Sequence, residues 1–271
     1  MNILLIYREE RFSPSSIDKD KAILDAVRNV LMADGHDAVC CKPEMLTAEV
    51  LAGKDFVLSM ARGENVLTLL EACEAAVLNS PKGIRLCSRR YDLDMLLRKN
   101  GIAVPPTDGP DGVWIKRGDA SAEIKDDVVL CHSAEQEHEV TEMMKSRGID
   151  CLVRQAHMKG DLVKFYGVEG TFFQYSYPTD TGHSKFGLEE ANGEAHHYGF
   201  CLESLRMEAD RIASLTGVGI YGGDAIVGAD GSFCIIDFND WPTFSPCRQA
   251  AATAIRDFVL NIGNDIQLGK N

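Results

Sequence analysis

The stretch Asp224-Ala225-Ile226-Val227-Gly228-Ala229-Asp230-Gly231-Ser232-Phe233-Cys234-Ile235-Ile236-Asp237-Phe238-Asn239 decides how the chain reads. Two apolar, β-rich runs flank Asp230-Gly231, a dipeptide favoured in two-residue hairpin turns. A turn centred there sets Asp224 directly opposite Asp237, with Cβ atoms about 4.5–5.5 Å apart. The strand period of two puts Asn239 on the same face, and Ile226 and Ile235 are expected to share it. Two ionised carboxylates that close repel each other unless a cation lies between them. Two carboxylates and an amide are hard oxygen donors and few in number. They leave room for phosphate oxygens and water, which suits Mg²⁺. Taken alone, the pattern also fits an exposed hairpin that holds nothing.

Upstream, Val113-Trp114-Ile115-Lys116 reads as a strand whose alternation places Lys116 on the face of Trp114, before a polar loop over 118–127. Within the segment Leu86 to Gly101, Ser88 reads as the N-cap of a helix and Gly101 as its left-handed stop. Pro105 and Pro106 hold the next segment extended. A strand at Cys151-Leu152-Val153 leads through Gln155-Ala156-His157 to a turn at Lys159-Gly160-Asp161 and two paired strands over 162–168 and 171–175. Leu205, Ala209, Ile212 and Leu215 mark a helix closed by Gly217. Ser245-Pro246 opens a last helix that buries Ala251, Ile255, Phe258, Val259 and Ile262, with Arg248 in its first turn.

The leading part alternates strand and helix signals. Ile3 to Tyr7 is a continuous apolar run, as for a strand buried on both faces. Ile23, Leu24, Val27, Val30 and Leu31 recur at helical spacing, and Val66, Leu69, Leu70, Cys73 and Val77 mark a second helix. The order implies a small parallel sheet with covering helices. The turn after the first strand, Tyr7-Arg8-Glu9-Glu10, lacks the glycines of a dinucleotide fingerprint, and no P-loop occurs.

At 45% hydrophobic and 25% charged residues the chain is ordinary globular material. A net charge of -13 argues against nucleic acid or a membrane surface as partner. The nine cysteines show no CxxC spacing, which disfavours structural zinc and fits small core residues in a reducing compartment. The apolar run at the start is too short for a signal segment or a membrane span, so a cytoplasmic location is expected.

The ordered set of polar residues resembles the ATP-grasp family. Asp224, followed thirteen residues on by Asp237-Phe238-Asn239-Asp240-Trp241-Pro242, is similar to that family's metal-binding end, where an Asp pairs with a (D/E)-x-N segment and Pro follows. Arg90 stands where the family has its first phosphate-binding lysine, and Lys116 matches the second. Gln155-Ala156-His157 falls where the family's hinge presents backbone groups to adenine, without the usual acidic residue. The resemblance further implies Asp161 at the ribose, Lys164 at the phosphates and Arg248 near the second substrate.

It implies an α/β chain: a leading Rossmann-like domain over 1–85, then an ATP-grasp fold of two α+β subdomains, a small one over 86–155 and a catalytic one over 156–271, clamping ATP. The cofactors implied are ATP and Mg²⁺, with Mn²⁺ as a substitute. The partner implied is a small-molecule or peptide substrate. The likeness extends to the ribosomal-protein glutamate ligase and inositol phosphate kinase branches. The commoner outcome is a carboxylate–amine or carboxylate–thiol ligase acting through an acyl phosphate. A kinase acting on a hydroxyl is the alternative, favoured by Asp237 in place of the Glu many ligases use, and a nucleotide-binding protein without turnover is a third. No GxSxG or other nucleophile–base motif appears. The polar stretch from Tyr177 to Phe200 reads as a substrate-side loop, with His183, His196 and His197 as loop residues lacking metal-ligand spacing.

Overall fold

The apolar run at the start of the chain becomes the centre of a parallel sheet. In the computed structural model, which describes residues 1–13, 16–181 and 191–268, β1 (Asn2–Ile6) lies between β2 (Asp37–Cys41) and β3 (Phe56–Ser59), with β4 (Ala76–Leu78) beyond β3. Alternate residues of β1 serve opposite layers. Ile3 and Leu5 pack against Ile23, Leu24, Val27 and Leu31 of α1 (Ile17–Ala33). Leu4 and Ile6 pack in a second cluster with Leu51 of α2 (Ala48–Leu51) and with Val66 and Leu70 of α3 (Glu64–Glu71). The second helix is shorter than its apolar spacing implies. Val77 leaves it to pair with Val57 at the sheet edge, where ladder hydrogen bonds outweigh local helical preference.

Two abutting helices follow, α4 (Pro81–Ser88) and α5 (Arg90–Lys99). The expected N-cap is corrected here. Ser80 caps α4 by accepting from Gly83 N, whereas Ser88 ends that helix and its hydroxyl donates to Ile84 O. Turned back on its own helix, Ser88 is not available to cap α5, which starts at Arg90 and stops at Gly101 (φ +67°) as expected.

An antiparallel three-stranded sheet, order β6-β5-β7, joins β5 (Val113–Arg117), β6 (Val128–Cys131) and β7 (Leu152–Ala156). Val113 and Ile115 pack against Met144 of α6 (Ala134–Ser146), which leaves Trp114 and Lys116 on the other face. A four-stranded antiparallel sheet, order β11-β10-β8-β9, is made by β8 (Asp161–Val168), β9 (Phe172–Ser176), β10 (Ile220–Val227) and β11 (Phe233–Asp240). Between β9 and β10 lie the short α7 (Pro178–Thr181) and α8 (Leu202–Thr216), the latter closed by Gly217 at φ +71°. Leu205, Ala209 and Ile212 of α8 pack with Val163, Phe165 and Ile235 on one face of this sheet. The other face looks toward β5. The last helix, α9 (Arg248–Leu268), returns to the leading sheet and lies along α1, so Ala251, Ile255 and Val259 share a core with Ile3 and Leu5. No helix among the described residues is long and apolar enough to cross a membrane.

Candidate active site

The β10–β11 hairpin sets Asp224 opposite Asp237, as the sequence implies, but by a different route. The turn is longer than two residues: Gly228 N donates to Ser232 O at 2.9 Å, and Gly231 takes the left-handed conformation at φ +79°. Val227 therefore pairs with Phe233, one residue out of the expected register. A bulge at Ile236, between the pairs Ala225–Ile235 and Asp224–Asp237, restores it. The two offsets cancel at the carboxylates. They do not cancel closer to the turn, which corrects the expectation for Ile235: it is buried in the α8 core, while Ile226 and Ile236 face the same cleft as the aspartates.

That cleft, about 410 Å³, lies between β5 and β7 on one side and the β8–β10–β11 face on the other. Arg90, Lys116, Lys164, Asp224, Asp237 and Asn239 all line it. Lys164 stands opposite Asp224 in the β8–β10 ladder, and its Nζ donates to Asp224 Oδ1 at 2.8 Å. Asn239 Nδ2 donates to Asp237 Oδ2 at 2.8 Å. Burial alone would push the Asp237 carboxyl up. The Arg90 charge, the Asn239 amide and the charges of Lys116 and Lys164 overrule it and hold the carboxyl below its ordinary value. Lys116 is 8% exposed. Burial and the Arg90 guanidinium pull its ammonium down to about 8, against the opposing carboxylates of Asp237, Asp224 and Asp94.

Lys116 is held in place by a side-chain relay that nothing in the sequence pattern announced. Its Nζ donates to Gln155 Oε1 at 2.6 Å and to the carbonyl of the bulged Ile236 at 3.3 Å. Gln155 Nε2 donates in turn to Asp94 Oδ1 at 2.8 Å, and Arg98 Nε donates to Asp94 Oδ2 at 2.6 Å. Arg90, the first residue of α5, donates from Nη1 to Arg117 O at 3.0 Å. The rest of the cleft is largely apolar, with Trp114, Met158, Leu162, Ile226 and Ile236 on its walls.

The donor set fits a hard divalent ion: two carboxylates and a carboxamide on one hairpin, with ammonium and guanidinium groups offsetting the like charges. Among the described residues no group of three or more His, Cys, Asp or Glu comes together. An ion held at Asp224, Asp237 and Asn239 would have room for further oxygen donors, such as phosphate oxygens and water.

Solved structures with the same arrangement of sheets place the architecture. A RimK-domain ATP-grasp protein from Sphaerobacter thermophilus matches over 95% of this chain and 99% of that one, with a TM-score of 0.63 at 19% identity. The D-alanine–D-alanine ligase from Bacillus anthracis matches over 100% of both chains, with a TM-score of 0.66 at 12% identity; the structure of that enzyme complexed with ATP gives 0.66 at 13%. The chain has the ATP-grasp fold. No protein-family model matches it, and no curated protein matches it by sequence.

Within the ATP-grasp fold, two residues singled out in the sequence are placed away from the cleft. Asp161 is 1% exposed and accepts from the backbone N–H groups of His196 and Tyr198, each at 2.7 Å. Its carboxylate ties down the 196–198 loop, and Asp161 is not on the lining of the cleft where a ribose contact was expected. His196 stacks on Tyr198 and His197 lies edge-on to Tyr177 in that loop; His183 lies outside the described residues. Arg248 is the first residue of α9 rather than part of a turn already begun at Pro246, and it lines neither this cleft nor the cavity that adjoins it. The hinge segment does reach the cleft: Gln155, Ala156 and His157 all line it. However, Ala156 N donates to Pro106 O and His157 N to Gly112 O, so these two amides serve the protein itself.

A second cavity, about 580 Å³, adjoins the first and shares Arg62, Lys164, Asp224 and Asn239 with it. Its far wall belongs to the leading unit and went unnoticed in the sequence. Arg62 Nη2 donates to Asp240 Oδ1 at 2.6 Å, and Arg8 Nη2 donates to Trp241 O at 2.8 Å. Glu9 secures Arg62 by accepting from the backbone amides of Arg62 and Gly63 at 3.0 and 2.8 Å. The only available signal was Arg8 directly after the first strand, at the carboxyl end where open α/β sheets bind ligands.

Proposed function

We propose that the protein is an ATP- and Mg²⁺-dependent ligase that joins a carboxylate to an amine or a thiol through an acyl phosphate. The carrying observation is the convergence of Asp224, Asp237 and Asn239 with Lys116, Lys164 and Arg90 on one cleft, which opens past Lys164 into a second cavity. The shared fold of D-alanine–D-alanine ligase, one structure of which is complexed with ATP, supports the reading. When bound, ATP supplies a transferable phosphoryl group, and Mg²⁺ or Mn²⁺ supplies positive charge between its phosphates and the protein carboxylates.

The chain's own residues do the rest. Asp224, Asp237 and Asn239 hold the ion. Lys116 and Arg90 offset phosphate charge, and Lys164, at the join of the two cavities, faces the group in transfer. Trp114, Leu162, Ile226 and Ile236 offer apolar walls that exclude water around a base. A substrate carboxylate oxygen bonds to the terminal phosphorus as the bond to ADP breaks. The amine or thiol then bonds to the carbonyl carbon, inorganic phosphate leaves, and the nucleophile's proton passes to solvent. No protein nucleophile is required. In this reading residues 1–85 wall the second cavity, 86–155 cover the nucleotide and 156–271 carry the metal edge.

The test is ADP release from the purified chain against pooled metabolites, with product masses read. ADP is expected only when an acid and an amine or thiol are both present, with a condensed product. ADP formed with a single hydroxyl acceptor and a phosphorylated product would replace the ligase with a kinase. ATP binding without ADP release from any pool would leave a nucleotide-binding protein.

A further inference from the structure

The join of the two cavities is where charge is hardest to offset. In the ligase reading two anions, the terminal phosphate and the acid's carboxylate, come within bonding distance there, and their repulsion opposes the reaction. On the nucleotide side stand Lys116, Arg90 and the ion site. On the other side the cationic groups lining the second cavity are Arg8, Lys19, Arg62 and Lys164. Arg8 and Lys19 do not line the cleft. Arg8 is also occupied: it donates to the carbonyls of Met60 and Trp241 and lies 3.5 Å from Asp20 and 3.6 Å from Asp240. Lys164 already donates to Asp224. Arg62 lines both cavities, and among the described residues no other part of the leading unit lines the nucleotide cleft.

Local structure fixes how Arg62 arrives. It follows β3, at the carboxyl end of the parallel sheet, where Ala61 N donates to Ser59 Oγ at 3.2 Å and Glu9 holds the next two amides. A Cβ at Gly63 would come within 2.4 Å of Glu9 Oε1, so that clamp requires glycine. From this loop Arg62 meets Asp240 at two points, Nε on Oδ2 at 3.3 Å and Nη2 on Oδ1 at 2.6 Å. The contact occupies one edge of a planar fork. The third nitrogen, Nη1, has no hydrogen-bond partner among the described residues. It is not sealed off either. The side chain is 12% exposed in a residue that lines both cavities, and Nη1 is not one of the buried unpaired atoms. A guanidinium aimed by a carboxylate on one edge keeps the N–H groups of Nη1 for an anion.

We propose that Arg62 is a catalytic residue supplied by the leading unit, with Nη1 donating to the phosphoryl group in transfer at the join and Asp240 as the positioning residue that aims it. The proposal rests on the ligase reading of the site and adds the charge which that reading needs on the second-cavity side. No bond to Arg62 forms or breaks. It donates hydrogen bonds that strengthen as charge collects on the oxygens in transfer. The leading unit thereby takes part in the chemistry, since its loop after β3 delivers the group.

The experiment measures ADP binding to the full chain by calorimetry in the presence of Mg²⁺, with and without aluminium fluoride, which mimics a phosphoryl group in transfer. In the parent the fluoride is expected to tighten ADP about tenfold or more. Arg62→Lys keeps a charge for Asp240 but has no second N–H edge. It is expected to leave plain ADP affinity within about twofold of the parent and to cut the tightening to about twofold or less. Arg62→Ala is expected to behave alike, with the tightening restored by added guanidinium below its denaturing range. A merely structural ion pair would be kept by lysine, and guanidinium would not change its response to fluoride. No tightening in the parent, undiminished tightening in a folded Arg62→Lys, or a loss in a folded Arg62→Ala that guanidinium does not restore would each overturn the assignment. The metabolite-pool assay separates this claim from the ligase. ADP release with a single hydroxyl acceptor removes the ligase and leaves Arg62 in its role. Ligase turnover with undiminished fluoride tightening in Arg62→Lys does the reverse.

Discussion

Two walls of the same cleft are assembled in opposite ways. On one, Asp224, Asp237 and Asn239 come from a single hairpin, and backbone pairing sets their places. On the other, Lys116 is aimed by Gln155, which is held by Asp94, which is held by Arg98, three side chains from two elements. Further out, Arg8 and Arg62 meet Asp240 across 232 and 178 positions of chain. Groups placed by backbone register stay where they are when one of them is removed. Groups placed by a relay leave their neighbours unpaired. Function and stability should therefore separate cleanly on the hairpin wall and move together on the relay wall.

The largest effect is expected on the hairpin. Asp237→Ala should lower metal-dependent ADP release by about a thousandfold or more, since a carboxylate that holds the ion acts on the charge developed in transfer. Thermal melting should stay near that of the parent, because the backbone ladder that places the hairpin is untouched. Turnover within about tenfold of the parent under saturating Mg²⁺ would remove the metal assignment. Lys116→Ala comes next. It takes a charge-assisted contact from the phosphates, and ATP binding by calorimetry should weaken by about ten- to a hundredfold. An unchanged affinity would mean that Lys116 faces no phosphate.

Gln155 sharpens the contrast through two substitutions. Gln155→Leu removes the acceptor for Lys116 and the donor for Asp94 together, so ATP affinity should fall about tenfold and stability by about 1–3 kcal/mol. Gln155→Glu keeps an acceptor for Lys116 but turns a carboxylate toward Asp94. It should hold ATP affinity near the parent value while still losing stability. Equal loss of affinity in both variants would show that Gln155 packs the cleft without positioning Lys116.

The same contrast explains how much was legible in the sequence. The juxtaposition of Asp224 and Asp237 was readable because strand period and turn chemistry are local rules, although the longer turn and the bulge at Ile236 each broke the rule and cancelled only at Asp224–Asp237. The face of Lys116 was readable because strand alternation fixes it, whereas Lys164 was reached through the family resemblance. The relay through Gln155 and Asp94 was not readable, since no local pattern states which side chain of α5 meets which of β7. Arg62 was invisible for the same reason: its meaning comes from Asp240, on a strand of a different sheet. Arg248 and Asp161 were assigned by their order in the chain, and order does not say which way a side chain turns.

Asp161 provides the smallest expected effect on the site, and its value lies in that smallness. Its carboxylate begins β8, directly after Gly160, where a sugar contact was expected. Both oxygens are instead committed, Oδ1 to the amide of His196 and Oδ2 to that of Tyr198. A carboxylate accepting two backbone N–H groups is a loop anchor, and losing it strands two donors rather than one ligand contact. Asp161→Ala should therefore cost about 1–3 kcal/mol of stability and speed proteolysis near 196–198. ATP affinity should stay within about twofold, because the nucleotide cleft lacks Asp161 among its walls. A tenfold loss of ATP affinity with unchanged melting would restore the sugar contact and show that the loop anchor is released when nucleotide binds.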